Sequence, residues 1–392
     1  METNITAEAA DSRMRRVAAE VAAKAADAVD KEGRFPTETF DALKRERLLG
    51  VMIPPEFGGE GLSVGEVAEL CAILGGACGS SALIYAMHNI KVSSFVTHGR
   101  DSAWHRDYMR KIAEDQLLIG SATTEYGIGG DLRNSICAVE VQGDRFTLTK
   151  EANCISYGLQ SDAILVTCRR SPEAASSDQV MVCVRREDCT LDQTTTWDTL
   201  GMRGTNSVGF TLKSAGNAAQ IFPHPFSEIA AQSMLSMTHI LWAGAWYGIA
   251  ADAVARAQAF VKAAAKKTPG QLPPGALRLA EVVAMLQEMK GCVNARIERY
   301  EAVKDDADAL SSMSFAADIN NLKISASELG MRVVEHALLI TGLPGYRNDT
   351  PFSVARHMRD ILSARIMISN DRILSNTSNL LLAGRFDKSL RS

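Results

Sequence analysis

Apolar residues recur at helical spacing over residues 7–29, 37–48, 63–74 and 80–95, with charges punctuating the first stretch, so the first third of the chain is predicted to be helical. The stretch Ile53-Pro54-Pro55-Glu56-Phe57-Gly58-Gly59-Glu60-Gly61 interrupts that pattern, and its prolines and glycines predict an ordered loop. Near Leu117 the character changes. Runs at 145–149, 164–168, 180–184 and 208–212 are rich in β-formers and separated by turn residues, which predicts a β-domain. Long helical patterns return at 233–266, 277–303, 316–341 and 352–382, with breaks at 269–275 and 342–350. The expected class is therefore α+β, divided into a helical domain at 1–116, a β-domain at 117–228 and a helical bundle at 229–392. A chain of 392 residues exceeds what one hydrophobic core supports, which agrees with such a division.

Composition narrows the partners more than the fold. The formal net charge is −4 and both signs are interspersed, so the chain carries no electrostatic footprint for nucleic acid or an anionic membrane. A small molecule is the expected partner. The eight cysteines, Cys71, Cys78, Cys137, Cys154, Cys168, Cys183, Cys189 and Cys292, form no C-x-x-C pair and do not cluster with histidine. They read as buried reduced thiols, and no metal is expected. No basic segment leads into an apolar run at the N-terminus, and no stretch reaches the ~20 apolar residues of a membrane span, so a cytoplasmic location is expected.

The segment Ser121-Ala122-Thr123-Thr124-Glu125-Tyr126-Gly127-Ile128-Gly129-Gly130-Asp131 spaces its glycines closely enough to wrap a flat or phosphorylated ligand. It equally suits a turn that joins helix to strand, and neighbouring motifs decide between the two. Those motifs are Cys154-Ile155-Ser156-Tyr157-Gly158, Leu200-Gly201-Met202-Arg203-Gly204-Thr205, and Gly342-Leu343-Pro344-Gly345-Tyr346 followed by Arg359-Asp360. In this order and spacing, together with Pro55-Glu56-Phe57-Gly58-Gly59-Glu60-Gly61, the chain resembles the acyl-CoA dehydrogenase superfamily over nearly its whole length.

The resemblance implies an N-terminal helical domain, a central β-barrel-like domain and a C-terminal helical bundle with FAD held between them. It implies that Ser121, Thr123, Thr124, Gly129 and Gly130 meet the flavin, and that Ile155 and Ser156 lie against its ring system. Gly342 and Gly345 would approach the adenine and diphosphate end across a subunit contact, in a homodimer or homotetramer. The implied chemistry is α,β-dehydrogenation of an acyl thioester on coenzyme A or a carrier protein, with electrons passing to a separate acceptor. A carboxylate base must then stand opposite the flavin, with donors aimed at the developing enolate oxygen.

Several positions depart from the family pattern. The usual glutamate after R-D-A is absent: counting without gaps from Arg359 puts Ile368 there, whereas matching Ala364-Arg365-Ile366 to A-K-I puts Asp371 there. Asp371 is the candidate base, with a solvated or helix-capping carboxylate as its ordinary alternative. Thr238 occupies the family's second base position, and His239 stands where an arginine is common. His239 could titrate or pack in a helix, and His88 could face the cavity or sit satisfied in the core. Cys154 replaces a tryptophan, and 268–275 replaces a segment whose arginine grips the diphosphate, a role Arg278 could assume. The missing glutamate also admits a flavin monooxygenase or oxidase on the same fold, using oxygen as acceptor, or a flavin-binding protein without turnover.

Overall fold

The structure is a computed structural model that describes residues 8–128, 131–267 and 269–384. Helices α1 (Ala10–Val17) and α2 (Ala23–Glu32) are joined by a π turn, and α3 (Thr37–Arg45), α4 (Val64–Ala77), α5 (Gly79–His98) and α6 (Ala103–Asp115) complete the N-terminal set. Helix α4 starts at a capping box: Ser63 accepts from the Glu66 N–H, and the Glu66 side chain takes the Ser63 N–H. Helix α5 is buried on nearly every side, which explains its lack of a polar face. Helix α6 lies beyond the helices predicted above, because its buried stripe of His105, Tyr108, Met109 and Ile112 mixes histidine and tyrosine with aliphatic residues.

The β region builds two sheets from β1 (Ile119–Ala122), β2 (Val139–Gln142), β3 (Arg145–Ile155), β4 (Ala163–Arg169), β5 (Gln179–Arg185), β6 (Cys189–Gln193) and β7 (Val208–Asn217). One has the order β1-β4-β5, with β1 parallel to β4; the other is antiparallel in the order β2-β3-β7-β6. Strand β3 alternates exposed and buried residues, as a sheet with one solvated face requires, while β4 and β5 are buried almost throughout. Phe146, Leu148, Val166, Val182, Phe210 and Leu212 fill a core of their own between the sheets.

The rest is helical: α7 (Phe226–Ile229), a π turn at Ala230–Met234, α8 (Leu235–Ala265), α9 (Ala276–Val303), α10 (Ala307–Leu310), α11 (Met313–Thr341), α12 (Leu343–Tyr346), α13 (Ala355–Ile366) and α14 (Asn370–Ala383). Helices α4 and α8 pack backbone to backbone. A Cβ on Gly244 would stand 2.7 Å from the Ala68 carbonyl oxygen, and one on Gly248 would stand 2.1 Å from that of Ala72. The single helix expected over 352–382 is in fact two. Met367 is extended, Ser369 caps α14, and the buried Lys323 ammonium takes the Ile368 carbonyl at 2.5 Å, drawing it out of the helical ladder.

Candidate active site

Three of the sequence motifs converge where β1 ends. Thr124 Oγ1 donates to the Cys154 carbonyl at 3.3 Å, tying the segment after β1 to the end of β3. Ser156 Oγ lies 2.8 Å from Ser207 Oγ, which lies 2.8 Å from Thr205 Oγ1, so a chain of hydroxyls joins the second motif to the third. Tyr157 locks the same corner, its hydroxyl donating to the Ile119 carbonyl at 3.0 Å and its N–H to that of Thr205 at 2.9 Å. Ser121, Thr123, Thr124, Cys154 and Ser156 remain half-buried in this otherwise buried setting, so small polar groups are partly accessible here.

The pleat corrects one expectation. Ile155 is fully buried in the core between the sheets, so its side chain cannot lie against a flavin ring; Cys154 and Ser156, on the opposite face of the strand, are the ones turned outward. Gly129 and Gly130 lie outside the described residues.

Glu125 received no role from the sequence, yet it organises the loop that follows β1. Its buried carboxylate accepts from Ser135 Oγ at 2.9 Å, from the Ile136 N–H at 3.1 Å and from the Cys137 N–H at 2.5 Å. The fully buried Lys150 ammonium stands 3.5 Å away and donates to the Thr167 carbonyl at 2.7 Å. Glutamate followed by a glycine-rich stretch was the only sequence signal for this anchor.

The third motif meets the Arg-Asp pair directly. Asp360 accepts the Met202 N–H at 2.7 Å, and a Cβ on Gly201 would come 2.1 Å from the Arg359 carbonyl oxygen. Arg359 forks onto the Asp30 carboxylate, whose backbone carbonyl takes Arg203 Nε at 2.7 Å. Burial pushes Asp360 up to about 6.

The residues considered for proton transfer fall in different environments. Asp371 sits in the first turn of α14 with an exposed side chain, and Ile368 is half-buried at the corner before it. Thr238 Oγ1 donates to the Met234 carbonyl at 2.6 Å, bonding back along its own helix. His88 is a satisfied core residue: Nδ1 accepts the Ile119 N–H at 3.0 Å and Nε2 donates to the Leu49 carbonyl at 2.7 Å. Burial pushes it down to about 4, which leaves the ring neutral. His239 is wholly buried and is pushed down to about 3 by burial and by the nearby Lys323.

Gly342 adopts φ +59 at the end of α11, a conformation that favours glycine, and Gly345 is packed so that a Cβ would meet Thr341 Oγ1 at 1.8 Å. Both glycines thus have a local reason to be where they are. Arg278 is exposed in the first turn of α9.

Among the described residues, no group of three or more His, Cys, Asp or Glu is placed to hold a metal, all eight cysteines are free, and no helix is long and apolar enough to cross a membrane.

Comparison with known proteins gives the same picture from outside the chain. The family model described as the acyl-CoA dehydrogenase N-terminal domain matches residues 6–114, and that of the acyl-CoA dehydrogenase C-terminal domain matches 229–377. Cyclohex-1-ene-1-carbonyl-CoA dehydrogenase of Geobacter metallireducens is 27% identical over 361 residues, covering 90% of this chain and 91% of the relative. The FMN-bound crystal structure of TdsC, a dibenzothiophene monooxygenase of Paenibacillus sp. A11-2, superposes with a TM-score of 0.81 at 18% identity, covering 97% of this chain and 100% of that one. Butyryl-CoA dehydrogenase of Megasphaera elsdenii superposes with a TM-score of 0.77 at 20% identity, covering 97% and 100%. With both terminal domains matched, the fold shared and the motifs joined at the end of β1, the chain belongs to the acyl-CoA dehydrogenase superfamily of flavin-dependent oxidoreductases.

Proposed function

We propose that this protein is an FAD-dependent enzyme that removes hydrogen across the α,β bond of an acyl thioester. The observation that supports it most is the convergence of the segment after β1, the end of β3 and the Thr205–Ser207 hydroxyls on one half-buried wall beside α5. The half-buried Thr123 hydroxyl suits an acceptor-rich flavin ring edge, while the Thr124 and Ser156 hydroxyls, which already donate within the protein, present lone pairs to a ring N–H. Bound FAD would supply the two-electron acceptor for the hydride. The chain's own residues position the thioester and take the α-proton. Asp371 is the carboxylate proposed as base; because it is exposed, it needs substrate or a second subunit over it to work in a dry site.

Electrons would leave to a separate flavoprotein. A homodimer or homotetramer accords with Leu339, Leu343, Tyr346, Ile366, Leu374 and Leu382, large apolar residues exposed on the C-terminal helices. A cytoplasmic place accords with eight unpaired thiols.

An anaerobic titration with a panel of acyl-CoA thioesters tests the reading. Bleaching of the flavin band by a saturated thioester is the expected result, and a flavin that stays oxidised with every member would overturn it. The corner residue Ile368 favours one second reading, an oxygen-using flavin monooxygenase such as TdsC is named to be. Oxygen consumption with a reduced flavin and an unreactive thioester panel would identify it.

A further inference from the structure

The described residues contain three lysines whose side chains are buried, and two of them are matched. Lys150 has Glu125 and the Thr167 carbonyl, and Lys323 has the Ile368 carbonyl and Asn370 Oδ1. Lys91 has neither a carboxylate nor an oxygen acceptor. It is 6% exposed, and its one polar contact is Met234 Sδ at 3.3 Å, a weak acceptor for a cation. No other Asp, Glu, Lys or Arg occurs in α5, so the position is isolated in sequence as well. Burial pushes the ammonium down to about 8, which still leaves it protonated at neutral pH. An ammonium withdrawn from water without a counter-charge costs several kcal/mol, so the site as folded is electrostatically incomplete.

Its place in the fold says what could complete it. Lys91 is one turn beyond the half-buried Met87 and the buried His88, and His88 is bonded to β1 through the Ile119 N–H. On the other side, Met234 ends the π turn leading into α8, and its carbonyl receives the Thr238 hydroxyl. Lys91 therefore lies on the helix that joins β1, through His88, to the π turn that leads into α8. Other buried groups on these helices also lack partners, among them Ser94 Oγ, one turn past Lys91, the Asn89 Oδ1 acceptor two residues before it, and Trp242 Nε1, one turn past Thr238. Of these groups Lys91 is the one that carries a charge, so an anionic oxygen is the partner that would complete it.

We propose that Lys91 anchors a carboxylate borne by the acyl part of the substrate, so that the protein selects acidic acyl thioesters over neutral ones. The inference rests on the acyl-thioester reading above. A carboxylate there would satisfy the ammonium with a charge-assisted hydrogen bond and give the acyl chain a fixed register.

The test is anaerobic binding to the FAD-loaded protein, read as perturbation of the flavin spectrum, with length-matched pairs: succinyl- and butyryl-CoA, glutaryl- and pentanoyl-CoA, adipoyl- and hexanoyl-CoA. In at least one pair the acidic member should bind about 10- to 100-fold more tightly in the wild-type protein. Lys91→Met, which keeps the apolar stem, should abolish that preference while retaining flavin and equal or higher thermal stability, because it removes a buried charge. Equal affinity within every pair in the wild-type protein would overturn the anchor and leave the acyl-thioester reading standing; a preference that survives Lys91→Met would do the same. A flavin spectrum that responds to no member of the panel would overturn both. The wild-type comparison decides the matter even if the variant fails to fold.

Discussion

The loop after β1 and the corner between α13 and α14 are each held by a buried lysine, but the two lysines hold different things. Lys150 stands beside a carboxylate, Glu125, whose oxygens are already taken by a hydroxyl and two backbone N–H groups of the loop itself. Lys323 holds neutral oxygens, the Ile368 carbonyl and Asn370 Oδ1. In the first region the charge is consumed in building the loop, and the chemistry must come from the hydroxyls it displays. In the second, the lysine itself meets no carboxylate, Glu328 takes the Asn370 side-chain amide N–H at 2.9 Å, Ile368 is half-buried and Asp371 is left in solvent. The buried glutamate of the first region is thus structural, and the carboxylate proposed as base in the second is exposed.

This contrast can be broken by mutation. The largest effect is expected from Glu125→Leu, which orphans two backbone donors and leaves Lys150 without its counter-charge. Stability should fall by at least about 3 kcal/mol in denaturant titration, with loss of bound flavin. Should it cost less than a change at Lys323, the distinction between the two anchors fails.

Next is Asp360. Burial raises it from its ordinary value near 3.8 to about 6, so folding disfavours its ionised form; the stability linked to its proton is full below about 4 and is lost as pH rises through about 6. Asp360→Asn can still accept the Met202 N–H, and should gain up to about 3 kcal/mol relative to wild type between pH 4 and pH 8. A thermal-melt difference that does not vary with pH would show that Asp360 keeps an ordinary pKa.

Lys323→Met should cost about 1–3 kcal/mol by stranding the Ile368 carbonyl, and should alter flavin reduction more than flavin binding, since it loosens the corner and not the β region. Equal losses in both would erase the difference between the regions. The smallest effect on stability belongs to Asp371→Asn, about 0.5 kcal/mol from the lost charge at a helix N-terminus. If Asp371 is the base, flavin reduction by thioester should nevertheless slow by about 100-fold or more, and unchanged stopped-flow kinetics would remove it from the mechanism.

How much of this was legible in the sequence follows the same division. The α, β, α order and the motif segments could be read because periodicity and turn residues report local structure, and Thr124, Cys154 and Ser156 do meet at one wall. The role of Ile155 was misread because a motif gives no pleat: alternate residues of a strand face opposite ways, and the bulge between Ala152 and Ile155 changes the count. The break at 367–369 was missed because its cause, Lys323, lies some forty residues away on another helix. Lys91 did leave a local trace, as the lone charge of an apolar helix, but the absence of a partner is a three-dimensional fact.

The contact at Gly201 reaches beyond ligand binding. There a strand-region segment passes beneath the Arg359 carbonyl, gives its Met202 N–H to Asp360 and reaches Asp30 through Arg203, while Arg359 reaches the same Asp30. Residues from the beginning, middle and end of the chain are knotted at one point, so none of the three can open alone. The Met202 amide should therefore exchange its hydrogen only through global unfolding, and cutting away the last helices should dissolve the order of the first two thirds instead of releasing them intact.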